Sequence, residues 1–271
     1  MKNKKKYRLK KEIYMVLLVI FGGILIYNLV ILVKWSFDKN NNKKETEEIN
    51  KIIEIKEITG GDPVNPPLDP DDDYWNYIKL PFNNVNLENL LKVNQDTVGF
   101  ISVGGTNINY PVVQTKDNKY YLKHSFKKEA NDAGWIFMDY RNNATNFDKN
   151  TIIYGHSRFD LTMFGTLKNI LKSKWINNKD NYIIRFSTTE ENTLWQVFSV
   201  YTIPTENYYI TTSFNDDQDY EIWINTMIKR SEYKFNTQVN GKDQVLTLST
   251  CHINDKNRVV MHAKLIKKMA A

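Results

Sequence analysis

The chain is poor in cysteine, proline and glycine. Of its 271 residues, 1 is Cys, 7 are Pro and 11 are Gly. The single Cys251 forms no intrachain disulfide and supplies no cysteine-rich zinc or iron–sulfur site, so both frameworks are excluded. Hydrophobic residues make up 41% of the chain, which is too few for a protein that crosses a membrane many times. The composition therefore predicts one ordinary globular domain with an additional segment.

The body of the chain carries no excess of charge. Seven of the 37 Lys and Arg residues and one of the 31 Asp and Glu residues precede residue 34, which leaves 30 of each sign in residues 34–271. The formal net charge of +6 therefore belongs to the N-terminal tail. A nucleic-acid-binding domain concentrates basic residues on its own surface, so this distribution predicts no nucleic-acid partner.

Residues 13–33 contain no charged side chain. A helix of that length crosses the roughly 30 Å hydrocarbon layer of a bilayer, which predicts a transmembrane signal anchor. A cleaved signal peptide is the alternative, but its apolar region normally has about 7–15 residues and ends in a small-residue cleavage site, which is missing here. The basic residues of the preceding tail, residues 1–12, predict a cytoplasmic N-terminus and an extracellular body at the cell membrane.

Residues 34–73 connect the predicted anchor to the body. Isoleucines at helical spacing in residues 45–58 predict a short stalk helix. Residues 60–73 hold four of the seven prolines, which disfavours both helix and sheet ladder and predicts a linker. The remaining residues, 74–271, are sufficient for one hydrophobic core and form the predicted extracellular domain.

Short runs of β-branched and aromatic residues dominate the body. In chain order they read GFISV, NINYPVV, KYYL, GWIFMD, NTIIYGH, YIIRFS, TLWQVFSVYTI, QVLTLSTC and RVVMHAKLIK. Helices are predicted at residues 87–93, with Asn86 as the N-cap, at 162–171 and at 216–230. The pattern predicts a mostly β protein, built as a largely antiparallel barrel of about eight strands with peripheral helices.

Cys251 ends one predicted strand and precedes a polar loop. A free Cys is commonly buried and inert, so the residue type alone leaves a structural thiol as an alternative. A reactive thiol needs a base or a cation nearby. His156 ends another predicted strand beside a loop, and Arg258 begins the last strand seven residues after Cys251. Arg258 taken alone is equally typical of a solvated strand edge.

The other histidines have simpler interpretations. His124 lies in a polar loop, where a solvated side chain is expected. His252 follows Cys251 directly, so a continuing strand would place the two on opposite faces. His262 lies within the last strand and is expected to be packed or hydrogen-bonded rather than to act as a base.

Several segments resemble sortases, the cell-wall cysteine transpeptidases of Gram-positive bacteria. TLSTCHINDKNRVVMHAKLIK resembles the TLxTC motif that carries the family's nucleophile and the Arg that follows it. NTIIYGHSRFDLTMFGTLK resembles the family's histidine segment, and GTNINYPVVQ, DNKYYL and IFMDYRN are similar to the class B subgroup. The resemblance covers residues 93–267. The loop between Cys251 and Arg258 is shorter than in some class B members, so the resemblance does not extend to loop-dependent substrate contacts, although it keeps the nucleophile, the His and the Arg.

The resemblance implies a sortase-like barrel and roles for individual residues. Cys251 is expected to be the nucleophile, His156 the general acid and base, and Arg258 the donor that stabilises the oxyanion. The expected substrates are secreted proteins with a sorting motif, NPQTN-like or PPxTG-like, cleaved after Thr through a thioacyl-enzyme. The expected acceptor is an amine of peptidoglycan or of its lipid-linked precursor. No metal and no cofactor are expected.

The resemblance also implies a peptide groove beside the nucleophile. The residues expected to line it are Tyr154, Thr205, Tyr209, Ile210 and Ser249. Core packing is an alternative for Tyr154, and loop packing is an alternative for Tyr209 and Ile210. Tyr110, Asp139 and Arg141 are typical of the subgroup and are expected to be scaffold.

Two other functions remain compatible with the same residues. A membrane-tethered cysteine hydrolase would use Cys251, His156 and Arg258 with water as the acceptor. A non-catalytic surface binding module would leave Cys251 unreactive.

Overall fold

The computed structural model describes residues 10–251 and 257–271, with Cys251 described by its backbone. Its α-helices are α1 (Lys11–Ile52), α2 (Tyr74–Tyr77), α3 (Glu88–Val93), α4 (Ser173–Ile176) and α5 (Asp217–Arg230). Its strands are β1 (Ile55–Ile58), β2 (Asp62–Pro63), β3 (Phe82–Val85), β4 (Thr97–Val103), β5 (Asn109–Val113), β6 (Phe137–Met138), β7 (Asn150–His156), β8 (Ile183–Ser187), β9 (Glu191–Pro204), β10 (Val245–Cys251) and β11 (Asn257–Ala270). Short 3₁₀ helices cover Tyr120–Leu122, Leu167–Asn169, Lys179–Asn181 and Tyr208–Ile210.

Eight strands of the described chain, β4 to β11, form a closed barrel. Their order is β10-β7-β6-β5-β4-β8-β9-β11, and pairing of β10 with β11 closes the ring. Neighbours are antiparallel except for the parallel pairs β5–β6 and β7–β10. The predicted largely antiparallel barrel of about eight strands is confirmed.

Two long strands give the barrel its curvature. β9 and β11 each have 14 residues, and their pairing shifts register between His262 and Ala263 and again between Leu265 and Lys267. Such irregularities bend a strand and increase its twist, which allows a long ribbon to follow a closed surface. Aromatic side chains such as Trp195 and Phe186 fill the interior and are fully buried.

The helix predicted at residues 162–171 is wrong. Leu161 and Met163 have positive φ angles of 65° and 52°, which an α-helix does not accommodate, and helical structure in the segment is a 3₁₀ turn at Leu167–Asn169. The KYYL run is also a 3₁₀ turn rather than a strand. By contrast, α5 begins one residue after its predicted start, and the Asp216 side chain caps it by accepting from the Asp219 amide.

The segment between the predicted anchor and the body differs from the expected stalk and linker. Among the described residues, α1 is the one helix long and apolar enough to cross a membrane, and it continues without a break to Ile52. β1 pairs with β3, and β2 pairs with β11 at Lys267↔Pro63 and Lys268↔Asp62. Proline has no amide hydrogen to donate. Pro63 is tolerated because β2 lies at the edge of its sheet, where no further strand requires that donor. The proline-rich segment is therefore attached to the barrel.

Candidate active site

The three predicted catalytic residues lie at the same end of three neighbouring strands. β10 lies between β7 and β11, and Cys251 is the Cα partner of His156 in the parallel β7–β10 pair. In the antiparallel β10–β11 pair Ser249 is opposite Val260, so continuing that register for two residues places Cys251 level with Arg258. Residues far apart in sequence are thus brought to one edge of the barrel.

The imidazole of His156 is almost fully buried and held by a backbone carbonyl. Its Nε2 lies 2.8 Å from the Leu122 oxygen. A carbonyl only accepts hydrogen bonds, so Nε2 carries the hydrogen and Nδ1 carries the lone pair in the neutral ring. Gly134 makes room for this arrangement, because a Cβ there would lie 2.9 Å from His156 Cδ2 and 2.5 Å from the Tyr121 oxygen. Its positive φ of 61° also favours glycine.

Arg258 lies at the beginning of β11 and is half-buried. It pairs with Ile203 of β9, and the next residue, Val259, donates its amide to Thr250 Oγ1 at 2.9 Å. That bond connects the start of β11 to Thr250, the last residue of β10 before Cys251. Arg258 therefore begins β11 at the barrel edge where β7 ends with His156.

Predicted groove residues contact one another beneath this edge. The hydroxyl groups of Tyr209 and Ser249 lie 3.0 Å apart, and both residues are buried. Ser249 is also the Cα partner of Tyr154. Tyr154, Tyr209 and Ser249 therefore lie together two residues before the His156–Cys251 level.

Asp139 and Arg141 connect this cluster to the segment at residues 208–211, which carries the predicted groove residue Ile210. Asp139 Oδ2 accepts a hydrogen bond of 2.9 Å from the Tyr154 hydroxyl, and Arg141 donates to both Asp139 oxygens at 2.8 and 2.7 Å. Arg141 Nη2 also donates to the Ile210 oxygen at 3.0 Å. Burial alone would raise the pKa of Asp139, but the hydrogen bonds from Arg141 and Tyr154 outweigh it and lower that pKa. Two residues expected to be scaffold thus hold the segment that carries Ile210.

Further contacts fix the backbone of the same segment. The side-chain Nδ2 of Asn150 donates to the Tyr209 and Thr211 oxygens at 3.2 and 2.9 Å. Trp223 Nε1 donates to the Tyr208 oxygen at 3.0 Å. Thr205 is exposed where the chain leaves β9 toward this segment. Asn150 carries no sequence signal of this role, because its partners are backbone oxygens that any residue supplies.

Two of the remaining histidines, His124 and His262, lie outside the site. His124 stacks on Tyr120 with ring centroids 3.9 Å apart, so it is packed rather than simply solvated. His262 is fully buried between Tyr201 and Thr247, each 2.8 Å away, which confirms the expected packed role. Burial lowers the pKa of His262 to about 3. His252 lies outside the described residues. Within the described ranges, no group of three or more His, Cys, Asp or Glu side chains is placed to hold a metal.

The chain is similar in sequence to known enzymes. A family model described as Sortase domain matches residues 101–266. Sortase B of Listeria monocytogenes is 40% identical over 185 residues, which cover 67% of this chain and 74% of that protein.

Solved structures of related proteins show the same barrel. A Staphylococcus aureus sortase B–substrate complex is 40% identical with a TM-score of 0.63, covering 67% of this chain and 84% of that one. Sortase B from Bacillus anthracis in complex with AAEK1 is 34% identical with a TM-score of 0.68, covering 85% of this chain and 99% of that one.

Proposed function

Since the chain belongs to the sortase family as a class B-type transpeptidase, we propose that it joins secreted proteins to an amine of peptidoglycan or of its lipid-linked precursor. The proposed signal is a C-terminal sorting motif, NPQTN-like or PPxTG-like, cleaved after Thr. The main support for this proposal is the strand register, which brings His156, Cys251 and Arg258 to the same level on three adjacent strands. The relative from S. aureus is described as a substrate complex, which supports peptide binding.

The proposed reaction has two steps. In the first, the Cys251 thiolate attacks the threonine carbonyl, Arg258 donates to the oxyanion, and His156 gives a proton to the amine that leaves. A thioacyl-enzyme remains. In the second, the acceptor amine attacks the thioester, His156 takes the amine's proton, and the thiolate leaves. The carbonyl of Leu122 contributes by holding the imidazole in one orientation.

Thr205 and Ile210 are proposed to line the groove for the sorting peptide, and the buried Tyr154, Tyr209 and Ser249 are proposed to support it from beneath. The backbone of residues 208–211 is held by Arg141, Asn150 and Trp223, so this wall of the groove is formed before the peptide arrives. A groove of fixed shape loses less conformational entropy when a peptide binds.

We assign α1 as an uncleaved anchor with a cytoplasmic N-terminus and an extracellular body. The proposed division is a basic tail at residues 1–12, a membrane span at 13–33, a connecting segment at 34–73 and the catalytic domain at 74–271. The length and apolar composition of α1 support the anchor. The connecting segment is helical in its first part; in its second part β1 pairs with β3, and β2 pairs with the barrel strand β11.

Product analysis of the full chain in detergent tests the function. The protein is incubated with quenched NPQTN-type and PPxTG-type peptides, with and without a triglycine acceptor. We expect an amine-linked product and a covalent adduct at Cys251. Cys251→Ala and His156→Ala should both abolish cleavage, whereas His124→Ala, a matched change outside the site, should retain it.

The alternatives give different results. Release of the free acid alone, even with excess amine, would favour the hydrolase. A Cys251 that fails to react with thiol probes would favour the binding module. Cleavage that survives in Cys251→Ala would exclude the cysteine mechanism.

A further inference from the structure

A tight turn follows His156 directly. The Leu161 amide donates to the Arg158 oxygen at 3.2 Å, which closes a turn with Phe159 and Asp160 at its tip. Ser157 pairs with Met163 across its base. The turn is thus a short projection from the strand end that carries the candidate general base.

Buried charges brace this turn. The Asp160 carboxylate accepts from Arg158 Nη2 at 2.8 Å and from Thr162 Oγ1 at 2.6 Å. The side chains of Arg158 and Asp160 are 10% and 2% exposed. Burial alone would raise the pKa of Asp160, but its hydrogen bonds to Arg158 and Thr162 lower it, so the carboxylate stays ionised. The turn therefore has a fixed shape.

The braced turn presents apolar side chains outward. Phe159 at its tip is 83% exposed and Leu161 is 39% exposed. Lys168 lies beside them, with its Nζ 5.7 Å from the centre of the Phe159 ring. A single exposed apolar residue does not by itself indicate a binding surface. Whether Phe159 and Leu161 form one depends on where the turn lies in the molecule.

The C-terminal part of α1 fixes the position of the barrel beside the helix. Asp38, Asn42, Glu45 and Ile49 form one buried face of α1. Asn131 Nδ2 donates to Asn42 Oδ1 at 2.6 Å, and the Lys127 amide donates to Glu45 Oε1 at 2.5 Å. The barrel is therefore docked along α1 beyond the uncharged stretch.

The turn lies where that uncharged stretch ends. The Arg158 guanidinium is 6.0 Å from the centre of the Trp35 ring, and Lys34 pairs with Asp132 at 2.6 Å. Trp35 is two residues beyond residues 13–33, and tryptophan is enriched at the headgroup level of membranes. Arg158 therefore places the neighbouring Phe159 near the level at which α1 leaves the hydrocarbon.

We propose that the turn at residues 158–161 is a second membrane contact. Phe159 and Leu161 enter the headgroup region, and Lys168 lies near the phosphates of anionic lipids. This inference rests on the anchor role proposed for α1. The membrane contact of the turn holds the His156 edge of the barrel close to the bilayer surface, where the amine of a lipid-linked acceptor would lie.

Site-specific fluorescence on the full chain tests the contact. In a Cys251→Ala background, Phe159→Cys is labelled with an environment-sensitive fluorophore and reconstituted into phosphatidylcholine–phosphatidylglycerol vesicles. Ile222→Cys is the matched control, since Ile222 is an exposed apolar residue (54%) on α5. Leu25→Cys, within residues 13–33, reports on the anchor itself. Quenching by spin-labelled lipid and by aqueous iodide is measured for each.

The outcomes separate the two proposals. We expect lipid quenching of at least about twofold at position 159 and at position 25, little at 222, and iodide quenching mainly at 222. Lipid quenching at 25 with a label at 159 that behaves like the one at 222 would overturn the second contact and leave the anchor intact. Absence of lipid quenching at 25 would overturn the anchor and the contact together.

Discussion

At the scale of single residues, the role proposed for Arg258 requires geometry as well as charge. If its guanidinium donates to the oxyanion, it stabilises the transition state more than the ground state, so its loss lowers kcat rather than only raising KM. Arg258→Lys keeps the charge but lacks the planar fork of donors. We expect kcat to fall by roughly 10²–10³ in that variant, measured by steady-state cleavage of the best sorting peptide.

The Arg258→Ala variant provides the comparison. It should be at least as impaired as Arg258→Lys while unfolding at a similar temperature, because the side chain is only half-buried. A wild-type kcat in Arg258→Lys would show that charge alone suffices. An Arg258→Ala enzyme within a few fold of wild type would return Arg258 to the role of a solvated strand edge.

Buried His262 makes the stability of the fold depend on pH. Burial lowers its pKa from 6.5 to about 3, so between these values the unfolded chain binds a proton that the folded protein does not. The contribution of neutral His262 to the free energy of unfolding is therefore fully present above pH 6.5 and is lost as the pH falls toward 3. At pH 5 the loss attributable to His262 is about 2 kcal/mol relative to neutral pH.

A non-titrating amide isolates this effect. His262→Gln can still form hydrogen bonds with Tyr201 and Thr247 but takes up no proton. Between pH 7.5 and pH 5, its free energy of unfolding in urea should therefore decline by about 2 kcal/mol less than that of the wild type. Equal declines in the two proteins would contradict a neutral, buried His262.

The sequence predicts individual site residues unevenly. Cys251, His156 and Arg258 stand out because their residue types match a chemical need and because their segments resemble a known motif. The Leu122 oxygen beside His156 has no sequence signal, since any residue supplies a backbone carbonyl. Asn150 likewise acts on a backbone brought near only by the folded barrel.

At the scale of elements, the connection between β9 and α5 forms a wall of the proposed groove. Arg141 is fixed by Asp139 and donates to the Ile210 oxygen, so it positions this segment without being placed at the reacting atoms. Arg141→Ala should raise KM for the peptide by about tenfold, the effect of about 1.4 kcal/mol, and leave kcat within a few fold. Steady-state kinetics on soluble peptide measure both constants.

Arg141→Lys distinguishes positioning from general destabilisation. Lys retains the ion pair with buried Asp139 but reaches the carboxylate and the Ile210 oxygen less well. It should recover most of the thermal stability lost in Arg141→Ala and only part of the KM. Full recovery of KM by Lys, or a loss confined to kcat, would count against a role in positioning the groove.

Local dihedral angles explain which elements the sequence predicts. α5 has an apolar stripe and an aspartate cap, and both act within the helix itself, so the pattern gives its bounds within one residue. Residues 162–171 carry helix-compatible side chains, but Asp160 holds the preceding turn and Met163 adopts a positive φ. A contact of the folded chain thus overrides local propensity there.

At the scale of the whole molecule, residues before the barrel contribute to its packing. Asp72 is only 2% exposed, and its carboxylate accepts from the Gln238 amide at 2.6 Å and from the Tyr74 amide at 2.8 Å. Composition alone indicated a linker, because prolines and aspartates are typical of linkers. The sequence does not show that distant Gln238 supplies a partner for this carboxylate.

Truncation tests how far the folded unit extends. A chain that starts at residue 54 keeps β1, β2 and the Asp72 contacts, whereas a chain that starts at residue 72 loses both strands and places a mobile terminus at Asp72. Both chains should be soluble and cleave sorting peptides, because the proposed catalytic and groove residues lie downstream.

The shorter chain should unfold roughly 5–10 °C lower, since losing two strand pairings costs about 2–3 kcal/mol and 1 kcal/mol shifts the Tm of a domain this size by about 2–4 °C. Differential scanning calorimetry at matched concentration measures the shift. Identical Tm values would mean that β1 and β2 add nothing to the barrel, and insolubility or lost cleavage in the shorter chain would place the domain boundary before residue 72.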